Sequence, residues 1–332
     1  MTAPHHPASW WRQEEEDVRC LLCPHGCRIP PEGRGICGVR RHEEGRGLVS
    51  MNYGLVSAAA VDPVEKKPLY HWKPGTSILS FGSIGCTMHC PFCQNWQIAR
   101  CESDRSLTPA HPCTPLQIAR KEGLSSVAFT YNEPLVWFEF LTESAQILRD
   151  EGVSVVLVSN GLINPDPRDE LLPLLSAANI DLKAFTDEAY RFMGGYLEPV
   201  KKTIERFFEG GIHLEITFLL VPGINDSKED FRRMTRWMAS LSPELVLHIS
   251  RYFPSHQWKE PATSLSLLRE FAEAAREDLL YVYEGNTGGA NGTKCSSCGA
   301  SLIERKDYRI AGPFVDSSGR CLRCGTPSPF VI

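Results

Sequence analysis

No apolar run in these 332 residues approaches the roughly 20 needed to cross a bilayer. The first residues are polar and acidic and hold no apolar core of the secretory-signal kind. An excess of one charge is also missing: 35 Lys and Arg against 40 Asp and Glu leave a formal net charge of −5. That balance argues against strong attraction to nucleic acid or to anionic membranes. There is no internal repeat and no long low-complexity tract, which excludes solenoids and fibrous arrays. The expectation is a soluble, cytoplasmic chain with no membrane partner and no dependence on nucleic acid. Its 42% hydrophobic content suits one large catalytic domain with small appendages.

Cysteine is not scarce. Thirteen occur, eleven of them in three close-spaced groups, with Cys101 and Cys113 apart. Without a secretory signal, disulfides are the weaker explanation, and close spacing brings several thiolates within reach of one metal centre.

The groups divide the chain. Residues 1–76 form a Cys-rich N-terminal segment. It begins with a polar stretch expected to fray and continues into Gly- and Pro-rich loops carrying Cys20, Cys23, Cys27 and Cys37. From residue 77 to 287 the pattern alternates between short apolar runs and helical stretches. The runs are Ile78–Phe81, Val127–Tyr131, Val153–Val158, Ile180–Ala184, Leu214–Val221, Leu245–Ile249 and Leu280–Tyr283, and they read as buried parallel strands. Apolar residues share one helical face in Val136–Asp150 and again in Leu265–Asp278. Repeated βα units give an α/β fold, either a doubly wound sheet or a barrel. Polar residues follow the strands at Cys86, at Asn132-Glu133, at Ser159-Asn160 and at Lys183, so they fall on one rim, where such sheets place their active sites. Residues 288–332 lose the rhythm and form a short C-terminal module.

The central motif is Gly85-Cys86-Thr-Met-His-Cys90-Pro-Phe-Cys93-Gln-Asn-Trp96, with thiols at spacing C-x3-C-x2-C. Cysteine thiolates are the standard ligands of a 4Fe-4S cluster, and three of them leave one of four irons open. S-adenosylmethionine (SAM) can fill that position through its amino and carboxylate groups. One electron then breaks a sulfur–carbon bond, giving methionine and a 5′-deoxyadenosyl radical. The competing explanation is a zinc site made of these three cysteines and His89 within a non-catalytic zinc-binding scaffold, although structural zinc more often uses paired C-x2-C knuckles.

The motif, with an aromatic residue at Phe92, resembles the signature of radical SAM enzymes. The run Asp62-Pro-Val-Glu-Lys-Lys-Pro-Leu-Tyr70-His71, with Cys93-Gln94-Asn95-Trp96 and Thr130-Tyr131-Asn132-Glu133-Pro134, is similar to the AmmeMemoRadiSam-system radical SAM enzymes. That group is related to pyruvate formate-lyase activating enzyme, and the resemblance extends from about Cys20 to Cys324. It implies a partial (β/α)6 TIM-like barrel and an electron donor such as flavodoxin or ferredoxin. It also implies roles for particular residues. Asn132 and Glu133 stand where the activating enzymes contact the SAM amino group. Ser159 and Asn160 match a Thr-Asn-Gly near its methionyl or ribose part. Asp181 and Lys183 match an Asp-x-Lys facing its carboxylate, and Phe92 would lie against the adenine. Each has a plainer alternative: a helix-capping carboxylate at Glu133, an Asn-Gly turn after Ser159, an internal ion pair at Lys183 and core packing at Phe92. His248 carries no firm role. Where the activating enzymes have Asp before Thr-Asn-Gly, this chain has Val158, which weakens activation of a glycyl-radical protein substrate as the reading. The substrate stays unidentified.

The remaining groups read differently from each other. Cys295-x-x-Cys298 and Cys321-x-x-Cys324, with 22 residues between the knuckles, have the spacing of a zinc ribbon or a mononuclear, rubredoxin-like iron site. For Cys20, Cys23, Cys27 and Cys37 the spacing does not choose between zinc, slightly preferred, and a second cluster.

Overall fold

The computed structural model describes residues 5–101, 107–306 and 308–332. Its centre is an eight-stranded sheet, β1 (Ala58–Pro63), β2 (Ser77–Gly82), β3 (Ser126–Phe129), β4 (Ser154–Ser159), β5 (Ala177–Asp181), β6 (His213–Leu220), β7 (Val246–Arg251) and β8 (Val282–Gly285). The strands lie in sequence order. From β2 onward every neighbouring pair is parallel. Sequential order means the chain never reverses its direction of travel, so there is no switch point of the doubly wound kind. Right-handed crossovers then put all helices on one side and curl the sheet into an open barrel. All seven apolar runs read from the sequence lie on these strands, with ends shifted by one to three residues.

Beyond a single helical turn at Trp96–Ala99, the helices after β2 to β7 are α1 (Thr114–Lys121), α2 (Phe138–Asp150), α3 (Pro165–Leu171), α4 (Asp187–Phe192), α5 (Leu197–Glu209), α6 (Lys228–Leu241) and α7 (Leu265–Ala275). The apolar periodicity puts the start of α2 at Val136; a 3-10 turn over Pro134–Trp137 comes first, with Glu133 capping it by accepting from the Leu135 N–H. In α2, Phe138, Phe140, Leu141, Ala145 and Leu148 are buried in the main core. Such a face is worth roughly 1.5–3 kcal/mol per large side chain removed from water.

Two expectations about the first 76 residues need correction. Within the described residues the opening stretch is not frayed: His6–Pro7 pairs with Val49 and Ser50, and Trp11–Glu14 makes a hairpin with Asp17–Cys20. The cysteine loops sit between the strands of two small antiparallel sheets. Moreover, β1 is an antiparallel edge strand of the barrel sheet, paired with β2 from Ala58↔Gly82 to Pro63↔Ser77. Its run Ala-Ala-Ala-Val-Asp-Pro lacks the apolar alternation that marks a strand. Pairing to the neighbour decides its conformation.

Among the described residues no helix is long and apolar enough to cross a membrane.

Candidate active site and metal centres

The loop after β2 carries Cys86, Cys90 and Cys93 to the carboxyl-terminal rim of the sheet. Gly85 precedes it at φ +92, a conformation closed to most side chains, and a carbon added there would lie 2.9 Å from the Cys37 carbonyl oxygen. The loop is fixed from several directions. Asn132 Oδ1 accepts the Ser83 N–H at 2.9 Å, and its Nδ2 donates to the Gly85 carbonyl at 3.0 Å. Asn95 donates to the Tyr131 carbonyl, and the His89 N–H donates to the Met193 carbonyl. From beyond β7, the Gln257 and Trp258 N–H groups donate to the Pro91 carbonyl at 2.9 and 3.0 Å, and His256 stacks on Trp96. The Asn132 amide is therefore spent on the loop backbone.

Around the first thiol the rim is densely hydrogen-bonded. The Met88 N–H donates to Cys86 Sγ at 3.4 Å, and Asn160 Nδ2 approaches the same sulfur at 3.7 Å. Asn160 also donates to Thr87 Oγ1 at 3.0 Å. Its backbone N–H reaches Glu133 Oε2 at 2.9 Å, and Ser159 Oγ donates to Glu133 Oε1 at 2.7 Å. Glu133 is buried, and burial raises its carboxyl to about 6 against the donors from Asn160, Ser159 and Leu135. Capping and rim assembly are both done by this one side chain.

Lys183 follows β5, with Nζ 2.9 Å from Asp181 Oδ2, and its N–H donates to Tyr190 Oη. Burial disfavours the ammonium, but Asp181 and the Cys90 thiol outweigh it and hold the Lys183 pKa well above the usual lysine range. Phe92 is buried and meets Tyr252 edge-on. The ion pair and the core contact named as plainer alternatives are thus present.

Do these residues fit an iron–sulfur centre? Burial raises the Cys90 thiol to about 11 and holds Cys86 well above the usual thiol range, with Glu133 adding to the latter. N–H donors to sulfur, as Met88 offers Cys86, are what an iron–sulfur centre uses. A single zinc with bonds of about 2.3 Å needs its sulfurs close together. Among the described residues only Cys295, Cys298, Cys321 and Cys324 bring their ligand atoms within 4.8 Å of one another. Cys295 and Cys324 sulfurs lie 3.6 Å apart, and those of Cys298 and Cys321 3.8 Å. The C-terminal group brings four thiols close enough to hold a metal ion. The rim thiols are not among the close-set groups, and three of them with an N–H donor to Cys86 suit a cluster with one open iron, so the residues fit.

The opposite end of the barrel explains His248. Glu215, buried on β6, pairs with His248 and His213 and accepts the N–H groups of Tyr70 and His71. His71 bonds Tyr283 Oη, which bonds Thr293 at the start of the C-terminal module; Arg305 donates to Thr293 and to the Tyr70 carbonyl. His248 is thus a satisfied structural histidine away from the rim.

Sequence reading missed Thr87, Tyr190 and the cluster of Asp62, Lys67 and Tyr131, in which the Lys67 ammonium and the Tyr131 hydroxyl both donate to Asp62. Asp62 and Lys67 belong to the 62–71 run, where two lysines beside an acid signal a paired charge, but nothing in sequence links them to Tyr131.

A mostly parallel barrel with three thiols in the loop after its first parallel strand defines an α/β enzyme built around a metal cluster. Residues 82–238 match the model of the Radical SAM superfamily. That match implies a 4Fe-4S cluster and SAM. Along nearly its whole length the chain is similar to an uncharacterized protein of Methanocaldococcus jannaschii, 34% identical over 96% of this chain and 97% of that one. It is 26% identical to the pyruvate formate-lyase-activating enzyme of Staphylococcus epidermidis, over 56% of this chain and 79% of the relative. Among solved structures, a radical SAM methyltransferase from Sphaerobacter thermophilus aligns with a TM-score of 0.49 and 16% identity, over 64% of this chain and 66% of that one.

Proposed function

We propose that Cys86, Cys90 and Cys93 hold the 4Fe-4S cluster and that the chain abstracts hydrogen from a substrate still to be identified. The observation that carries this is the convergence on Cys86: the first thiol, Asn160 from the end of β4 and Glu133 from the end of β3 share one hydrogen-bonded rim. When bound there, the reduced cluster supplies one electron to SAM, which yields methionine and a 5′-deoxyadenosyl radical. Glu133 serves as acceptor for the SAM amino group. Lys183, kept cationic by Asp181, offers a partner for its carboxylate, and Ser159 and Asn160 hold Glu133 in place. Phe92 offers an apolar face, and Asn132 keeps the thiol loop in register. The Gln257–Trp258 segment limits access of water to the loop. A flavodoxin- or ferredoxin-type donor supplies the electron.

Placement among the AmmeMemoRadiSam-system enzymes is part of this proposal and rests on the 62–71 and 130–134 runs. The test is anaerobic reconstitution with iron and sulfide, reduction, and quantification of 5′-deoxyadenosine. Replacing Cys86, Cys90 or Cys93 with Ala should abolish the product; turnover in all three variants removes the proposal.

The similarity to pyruvate formate-lyase-activating enzymes favours a second reading, activation of a glycyl-radical protein. A glycyl doublet in the EPR spectrum of a candidate partner supports it. No doublet with a partner known to be competent rejects it.

A further inference from the structure

We infer that Cys20, Cys23, Cys27 and Cys37 bind a second iron–sulfur cluster of the four-iron class, beside the barrel loop. The four thiols line one cavity together with apolar Leu22 and Val136. None of them is in a disulfide. Their sulfurs do not crowd as a single zinc requires: the C-terminal group, and no other among the described residues, has that close set. A cubane carries each thiolate on a different iron, so its ligands stand farther apart and it accepts the wider arrangement.

The surroundings also point to a net-negative ligand. Arg40 lines the same cavity and is 1% exposed. Its terminal nitrogens reach Glu139 and the Ser9 carbonyl, but its buried Nε has no hydrogen-bond partner among the described residues. A buried cation beside the thiols is one way a protein stabilises a four-thiolate cluster. An uncompensated buried arginine nitrogen is costly otherwise.

The site adjoins the barrel loop. Thr87, next to Cys86 in the chain, lines this cavity too, and its carbonyl bonds His25 Nε2 at 2.8 Å.

The site stands apart from the reading of the barrel thiols, and the experiment separates the two. The full chain is reconstituted anaerobically with iron and sulfide, and iron, sulfide and zinc are measured per chain. The wild type should hold about eight irons beyond any single ion at the C-terminal group. The Cys86→Ala/Cys90→Ala/Cys93→Ala variant should keep about four, with a reduced-state EPR signal that SAM does not alter. The Cys23→Ser/Cys27→Ser variant, checked for fold by circular dichroism, should lose about four and keep a SAM-responsive signal. Zinc in place of iron in the barrel-thiol variant overturns the inference, as does an unchanged iron count in folded Cys23→Ser/Cys27→Ser protein. Failure of the radical reading would look different: no SAM-responsive signal in any protein, with the SAM-silent cluster still present.

Discussion

The Asn160 backbone N–H donates to Glu133 at 2.9 Å while the side chain of the same asparagine reaches toward Cys86 Sγ. The ends of two neighbouring strands are therefore tied to each other and to the first thiol through one residue. Both oxygens of Glu133 are engaged, since Ser159 and Leu135 donate to Oε1 and Asn160 to Oε2. Any group that binds at this rim enters an already ordered network.

Removing that acceptor should be expensive. Glu133→Ala leaves three buried donors unpaired, and the apoprotein should lose roughly 2–4 kcal/mol in urea unfolding. Glu133→Gln keeps one acceptor oxygen and should cost about half as much. Both should weaken SAM binding, measured by equilibrium dialysis on the reconstituted protein. If Glu133→Ala unfolds at the wild-type midpoint, the network is not holding the rim.

Asn160→Ala deletes the amide near Cys86 Sγ. Hydrogen bonds to sulfur stabilise the reduced, more negative state of a cluster. The reduction potential of the barrel centre should therefore fall, as read by EPR-monitored redox titration. An unchanged or higher potential would show that the 3.7 Å approach carries no electrostatic weight.

Much of this is legible in sequence because it repeats locally. Strand runs such as Val153–Val158 are apolar whatever they pair with, and three thiols within eight residues point to a candidate metal site by their spacing alone. The strand Ala58–Pro63 is not legible, because three alanines and a proline have little preference and the partner strand sets the outcome. Tyr131 stands out in sequence only through the family resemblance. Its positive φ of 74 and its bond to Asp62, 69 positions away, are tertiary facts. His248 cannot be separated from a rim residue by spacing, since only Glu215, 33 positions earlier, shows which end it serves.

The C-terminal site should carry folding and not catalysis. Its core is small: Leu302 with the Cys295 and Cys321 thiols, and Val315 and Phe330 packed against it. A bound metal therefore supplies much of the module's stability. Cys295→Ser should abolish metal retention there and lower the thermal midpoint by roughly 5–10 °C. SAM cleavage per folded molecule should persist. Loss of cleavage with the fold and the barrel cluster intact would instead make this site part of the electron path.

Acid sensitivity between pH 7 and 5 should trace to His71. Burial lowers its imidazole to about 3, whereas in the unfolded chain it titrates near 6.5. Between those values the unfolded state holds a proton that the folded state does not, so stability falls as pH falls across the window. The loss from pH 6.5 to 5 should be roughly 2 kcal/mol. Glu215 acts in the same direction but lower down. Burial opposes its charge, yet the hydrogen bonds from His213 and His248 outweigh burial and leave its pKa well below the usual carboxylate range. Its contribution is therefore complete above the ordinary glutamate pKa, whereas Glu133, raised by burial to about 6, works against the histidine term inside the pH 5–7 window and offsets part of its loss. Urea unfolding at pH 7 and pH 5 should show a smaller difference in His71→Asn than in wild type, even if the variant is less stable at both. An equal difference in the two proteins would mean that the buried His71–Tyr283 contact does not control the acid response.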